Sequence, residues 1–174
     1  MNKKNKSAFY VTQAGLIAAV YAAAVLLQNV IIPGSASFAV QIRISEALTV
    51  LSLFTPAAIP GLAIGCAVSN LFQAGALPFD FLVGSLATFL SGILMYRLRE
   101  KQIRSFPLFS FLMPVIFNAL FVGAELAVLM PMENKSRFLS FIIQFLLVAG
   151  GESAAVFLLG VPLFGLIKKR NLFK

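Results

Sequence analysis

The stretch that decides the fold is SAFYVTQAGLIAAVYAAAVLLQNVII, residues 7–32, which contains no charged side chain. A helix needs about 20 apolar residues to cross the ~30 Å hydrocarbon core of a bilayer, so this stretch predicts a membrane-spanning helix. The uncharged sequence continues to residue 42, and a second uncharged run covers residues 47–79. Because 60% of the 174 residues are hydrophobic and only 11% are charged, the composition indicates an integral membrane protein with several spans.

Proline, glycine and polar residues divide the chain into six predicted helices. Their predicted ranges are 9–32, 42–54, 60–74, 79–96, 107–130 and 138–167. The expected fold is therefore an all-α membrane protein, a six-helix bundle that forms one domain over residues 1–174. The second helix is short, since about 13 residues rise only about 20 Å. It is predicted to be tilted, re-entrant or extended into its flanks.

Basic residues fall into three clusters that predict the orientation of the bundle. Eleven of the 14 basic residues lie in these clusters: Lys3, Lys4 and Lys6; Arg97, Arg99, Lys101 and Arg104; and Lys168, Lys169, Arg170 and Lys174. With six spans, all three clusters lie on one side, which the positive-inside rule assigns to the cytoplasm together with both termini. The clusters border apolar spans, so they indicate contact with anionic lipid head groups and argue against nucleic-acid binding.

The sequence lacks the residues that most enzymes and metal sites require. It has no histidine, and Cys66 is its single cysteine, which argues against a disulfide framework and against zinc or haem ligation. No glycine-rich phosphate-binding loop is present, and no nucleophile–base pair can be assembled without histidine. We therefore expect no cofactor, no metal, no catalytic activity and no energy source of the chain's own.

Polar side chains inside the predicted helices are the candidate ligand-binding residues, because buried polar groups are costly in a membrane and usually face a cavity or a partner. By predicted depth they form an outer tier, Glu46, Asn70, Gln73, Asp80, Glu125 and Gln144, and an inner pair, Asn118 and Glu152. Arg43 and Glu46 are three residues apart and are expected to pair on one helix face. Asp80 is alternatively a cap for the fourth helix. Glu125 and Glu152 have no basic neighbour in their own helices, which makes them the strongest candidates.

Two stripes of small residues run along the first helix at four-residue spacing. They are Ala14-Ala18-Ala22 and Gly15-Ala19-Ala23. Small residues let membrane helices approach closely. The stripes indicate either packing inside the bundle or docking to another membrane subunit, and spacing alone does not separate the two.

Several segments resemble the QueT family, queuosine-precursor transporters that are substrate-binding S components of energy-coupling factor (ECF) transporters. The segments are VQIRISEALTVL (40–51), FTPAAIPG (54–61), FDFLVGSLAT (79–88) and Gly151-Glu152. The resemblance covers nearly the whole chain, and RISEALT is its most specific part. Ser52 departs from the pattern, where the family is expected to have proline, and that position lies outside the polar tiers.

The resemblance implies a six-helix S component of a bacterial plasma membrane that binds its ligand from outside. It implies docking to a transmembrane T component and two cytoplasmic ATPases, through Ala18 and Ala22 or through Ala19 and Ala23. The implied ligand is a 7-deazaguanine such as queuine or preQ1. An S component for another vitamin, such as a flavin, and a membrane helper protein without a ligand remain alternatives.

Overall fold

The computed structural model describes residues 3–32, 42–73 and 76–170. These residues form six helical rods, named helix 1 to helix 6 in chain order: Lys3–Ile31, Ile44–Leu53, Ala58–Phe72, Asp80–Leu98, Leu108–Leu129 and Arg137–Arg170. No β-strand occurs within the described ranges; an isolated bridge between Ile103 and Phe106 closes the loop between helices 4 and 5. The predicted all-helical architecture is therefore confirmed for the described part of the chain.

Four of these rods are long and apolar enough to cross a membrane. They are Asn5–Ile31 within helix 1, Asp80–Leu98, Leu108–Leu129 and Arg137–Arg170. Helices 2 and 3 have only 10 and 15 residues. Large apolar side chains cover the outside of the bundle, with Val30 78% and Phe138 74% exposed, as expected for a surface in contact with lipid. The chain is thus a multi-pass membrane protein, while six complete crossings and the side of each terminus remain predictions.

Helix 2 is a 3₁₀ helix rather than an α-helix. At about 2.0 Å per residue it extends roughly 20 Å, and side chains three residues apart lie on one line. Glu46, Thr49 and Ser52 form such a line, and all three are buried. The Thr49 hydroxyl donates to the Glu46 carbonyl oxygen at 2.6 Å. The tight helix therefore presents a continuous polar row to the interior of the bundle.

The other five helices form a wall around helix 2. Helices 1 and 3, 3 and 4, 4 and 5, and 5 and 6 pack against one another in sequence, and helix 2 contacts all five. Its apolar residues join the two neighbouring clusters of core side chains: Leu48 and Leu51 pack towards helices 1 and 3, and Val50 and Leu53 pack towards helices 4, 5 and 6. Polar groups of helix 2 are thereby placed at the centre of the bundle.

Helix 1 packs on helix 3 through glycine. A Cβ atom at Gly61 would lie 2.7 Å from the carbonyl oxygen of Ala14, and one at Gly65 would lie 2.8 Å from that of Ala18. Only glycine permits this approach, which buries Ala14 and Ala22. The stripe Ala14-Ala18-Ala22 thus faces the rest of the bundle. The stripe Gly15-Ala19-Ala23 is exposed, and a Cβ atom at Gly15 would meet nothing within 4 Å.

The orientation predicted from the basic clusters is testable with single cysteines, because Cys66 is the only native cysteine and is buried. Lys101 is exposed in the loop between helices 4 and 5, and Asn134 is exposed in the loop between helices 5 and 6. We expect a membrane-impermeant maleimide to label Asn134→Cys in intact cells and Lys101→Cys only after permeabilisation. Labelling of both variants in intact cells would contradict the predicted topology.

Candidate functional site

The interior of the bundle contains more acidic than basic side chains. Among the residues that the structure describes, the buried acidic side chains are Glu46, Asp80, Glu125 and Glu152, and the only buried basic one is Arg43. All five are less exposed than 9%. Because charges are costly in a membrane interior, such a set normally pairs internally or serves a ligand or ion.

The centre of this interior holds two hydrogen-bonded pairs, one from helices 1 and 2 and the other from helices 5 and 6. The Tyr21 hydroxyl donates to the Glu46 carboxylate. The Asn118 side chain donates to Glu152 at 2.9 Å. The Glu46 carboxyl group also interacts with the side chains of Glu152 and Asn118. The structure therefore joins two carboxyl groups, one amide and one phenol in a single central cluster.

The assignment of Glu46 to an outer tier, separate from Asn118 and Glu152, was wrong. Helix 2 lies within the wall formed by the other helices, so its first turn meets the middle of helix 6 rather than the outer ends of the bundle. The predicted depth of a residue was counted from the end of its own helix, which assumes that every helix starts at the membrane surface. That assumption fails for a short helix that begins inside the wall.

Helix 6 changes geometry directly after Glu152. Its first segment, Arg137–Ser153, is α-helical, Ala154–Gly160 is a π-helix, and Val161–Arg170 is α-helical again. The wide turn packs against helix 2, where a Cβ atom at Gly160 would lie 3.6 Å from the carbonyl oxygen of Ala47. π-helical turns are rare and are frequent at functional sites. Here the turn brings helix 6 against the 3₁₀ helix that carries Glu46.

A second polar group surrounds the start of helix 4. The side chain of Asn70 donates to the Asp80 carbonyl oxygen at 2.9 Å, and Gly84 leaves room for Asn70, whose Nδ2 would lie 3.0 Å from a Cβ atom there. The Arg43 guanidinium approaches the same position, 3.7 Å from that Cβ atom. Arg43 is electrostatically attracted to both Glu46 and Asp80, so it connects this group with the central cluster.

Asp80 does not cap helix 4 in the way that was considered from sequence. Phe79 occupies the capping position, and no side chain caps that end of the helix. The Asp80 carboxylate accepts a hydrogen bond from the Leu77 backbone N–H at 2.6 Å, which holds the preceding turn. The Asp80 carboxyl group therefore has a structural role in the turn, and it also interacts with Glu125.

Glu125 lies beside an open cavity of about 520 Å³ between the start of helix 4 and helix 5, on an outer face where Phe79 and Val128 are exposed. The other walls are apolar and include two aromatic rings, Phe79 and Phe121. Neither carboxylate oxygen of Glu125 accepts an N–H or hydroxyl hydrogen bond from the described residues, although the Asp80 carboxyl group lies beside it. A buried carboxylate without donors is costly, so this group is the one in the interior that most needs donors from a ligand.

The two remaining candidates, Gln144 and Gln73, are also buried. Gln144 is buried on helix 6, and its side-chain oxygen has no hydrogen-bond partner within the described ranges. It lies where helices 5 and 6 approach closely at Gly123. Gln73 is buried at the end of helix 3. All nine sequence-predicted binding residues are thus inside the bundle, and Arg43 and Asp80 link Glu125 to the central cluster.

Two polar residues of helix 1 that the sequence analysis did not select help to build the site. Tyr21 donates to Glu46. Gln28 donates to the Ile42 carbonyl oxygen and accepts from the Ile44 N–H at 2.8 Å, which fastens the start of helix 2 to helix 1. The signal was their seven-residue spacing, which puts both polar groups on one face of an otherwise apolar helix.

Comparison with known proteins places the chain in a family. A model of the QueT transporter family matches residues 11–169, nearly the whole chain. No curated protein and no solved structure matches it. The family match and the polytopic, apolar helices agree with a transport role and give no indication of an enzyme. The chain is therefore a member of the QueT transporter family.

Proposed function

We propose that the chain is the substrate-binding S component of an ECF importer in a bacterial plasma membrane and that it captures a 7-deazaguanine precursor of queuosine. Membership of the QueT transporter family supports transport. The resemblance of the RISEALT segment to queuosine-precursor S components supports the substrate class. The observation that carries the proposal is the buried carboxylate of Glu125, which lies beside the Asp80 carboxyl group and accepts no N–H or hydroxyl hydrogen bond from the described residues, next to an apolar cavity.

The chemistry of this cavity suits a flat heterocycle with adjacent N–H donors. A guanine-like edge presents such donors side by side, and a carboxylate accepts them in pairs. Phe79 and Phe121 supply aromatic walls for the ring. A volume of about 520 Å³ falls within the range usual for small-molecule sites. The excess of buried carboxylates further favours a ligand that carries N–H donors or a positive charge.

The partners in this proposal are a transmembrane T component and two cytoplasmic ATPases, which provide the energy that the chain cannot. Its sequence contains no nucleotide-binding loop. Helix 1 offers a stripe of small residues, Gly15-Ala19-Ala23, that remains exposed in the folded chain. Close helix–helix contact through small residues is the usual mode of association in membranes.

A thermal-shift screen of the purified protein tests the substrate class. We expect queuine and 7-aminomethyl-7-deazaguanine to raise the unfolding temperature, because a ligand at a hundredfold its Kd stabilises the folded state by about 2.7 kcal/mol. Guanine and riboflavin, which represent an ordinary purine and another vitamin, are expected to give smaller shifts. Stabilisation by riboflavin alone would contradict the proposed substrate and favour a flavin S component.

A further inference from the structure

A second cavity lies at the end of the bundle that carries the basic residues of the loop between helices 4 and 5 and of the last turns of helix 6. It has a volume of about 230 Å³ and is formed by the end of helix 2, the loop between helices 4 and 5, and the last turns of helix 6. Its floor is apolar and includes Leu53, Phe54 and Phe164. Arg99 and Lys168 stand in its wall, so the cavity combines an apolar base with two cationic groups.

Both cations lie over aromatic rings, which do not neutralise them. The Arg99 guanidinium lies 3.8 Å from the centre of the Tyr96 ring. The Lys168 ammonium lies 5.6 Å from the centre of the Phe164 ring. A ring face attracts a cation through its quadrupole and leaves the N–H donors available to an anion. The two cations are therefore positioned with their charges intact.

The surroundings of the cavity are strongly positive. Other basic side chains exposed at this end are Arg97, Lys101, Arg104, Lys169 and Arg170. Among the described residues Glu100 is the one acidic side chain at this end, and it lines the cavity. It lies 3.8 Å from Arg99, but its side chain is 86% exposed. Such an exposed pair contributes little, so it leaves the Arg99 charge available to a stronger anion.

We propose that this cavity is a binding site for the phosphate group of an anionic phospholipid. Arg99 and Lys168 would donate to the phosphate, and the apolar floor would receive the first carbons of the lipid. The two cationic side chains favour an anionic ligand by charge complementarity, and the apolar floor favours a lipid over a free phosphate. Basic pockets beside membrane helices bind lipid head groups in this way. The proposal is independent of which substrate the transporter binds.

Lipid-dependent thermal stability of the full-length protein in an uncharged detergent tests the site. We expect phosphatidylglycerol to raise the unfolding temperature more than phosphatidylcholine does. The double variant Arg99→Gln, Lys168→Gln is expected to lose this difference. The matched double variant Lys101→Gln, Lys169→Gln removes the same charge from residues outside the cavity and is expected to keep it. Measuring the lipid-induced shift separates binding from any intrinsic destabilisation of a variant.

Adding inorganic phosphate in place of the lipid shows whether the site binds a phospholipid or a free phosphate ion. We expect inorganic phosphate to give little stabilisation, since it cannot use the apolar floor. An equal shift from inorganic phosphate would assign the site to the free anion and contradict the lipid. Equal loss of the phosphatidylglycerol effect in both double variants, or equal stabilisation by phosphatidylcholine, would overturn the site altogether.

Discussion

Glu125→Gln is expected to weaken binding of a 7-deazaguanine by about ten- to a hundredfold, because hydrogen bonds to a charged group contribute about 1.5–3 kcal/mol. The glutamine keeps the size of the side chain but presents one N–H₂ donor to the donors of the ligand. No described N–H or hydroxyl group donates to Glu125, so the substitution breaks no such hydrogen bond in the folded chain. Isothermal titration calorimetry on the purified variant measures the effect directly.

Two further variants serve as comparisons for the Glu125→Gln affinity. Glu133→Gln removes the same charge from an exposed loop residue and is expected to leave affinity unchanged. Glu152→Gln is expected to reduce affinity less than Glu125→Gln, and to lower thermal stability, since Glu152 accepts a hydrogen bond from Asn118 and interacts with Glu46. Wild-type affinity in Glu125→Gln would contradict the proposed anchor. The ligand site would then be sought around Arg43, Glu46 and Asp80.

The helical architecture followed from the sequence because the bilayer imposes simple rules. Apolar runs of suitable length predicted helices 1, 4, 5 and 6. Pro, Gly and polar residues predicted their ends to within a few residues, except at the start of helix 1, which begins at Lys3 rather than at residue 9. The short helix 2 was also expected to be unusual. Its 3₁₀ geometry was not predicted, because hydropathy does not distinguish it from an α-helix. The π-helical turn after Glu152 was missed for the same reason.

The candidate site was harder to predict because its side chains come from all six helices. The sequence correctly predicted that these polar residues are buried, because a polar or charged side chain in an apolar membrane helix is costly and normally faces the interior of the bundle. It did not show that Glu46 reaches Glu152, nor that Tyr21 completes that cluster, because both contacts depend on where helix 2 sits inside the wall. The spacing of residues along one helix shows which side chains share a face of that helix. Contacts between side chains of different helices depend on how the helices pack.

The packing of helix 1 distinguishes the two stripes of small residues that its sequence contains. Ala18 faces helix 3, where its carbonyl oxygen would lie 2.8 Å from a Cβ atom at Gly65. Ala19 and Ala23 are exposed, at a surface that no described residue covers. We therefore propose that the T component contacts Ala19 and Ala23, and that the Ala14-Ala18-Ala22 stripe serves the internal contact with helix 3.

Ala19→Leu and Ala23→Leu are accordingly expected to abolish co-purification with the T component and ATP-driven uptake, while the solitary subunit keeps its ligand affinity. A leucine on this face holds the helices apart and removes the close backbone contact that small residues permit. Gly150→Leu adds the same side chain to open space on helix 6 and is the matched control, expected to retain the complex. Ala18→Leu is expected to lower thermal stability, because the extra atoms meet helix 3. Intact complexes and uptake in both exposed variants would show that the partner does not use this face of helix 1.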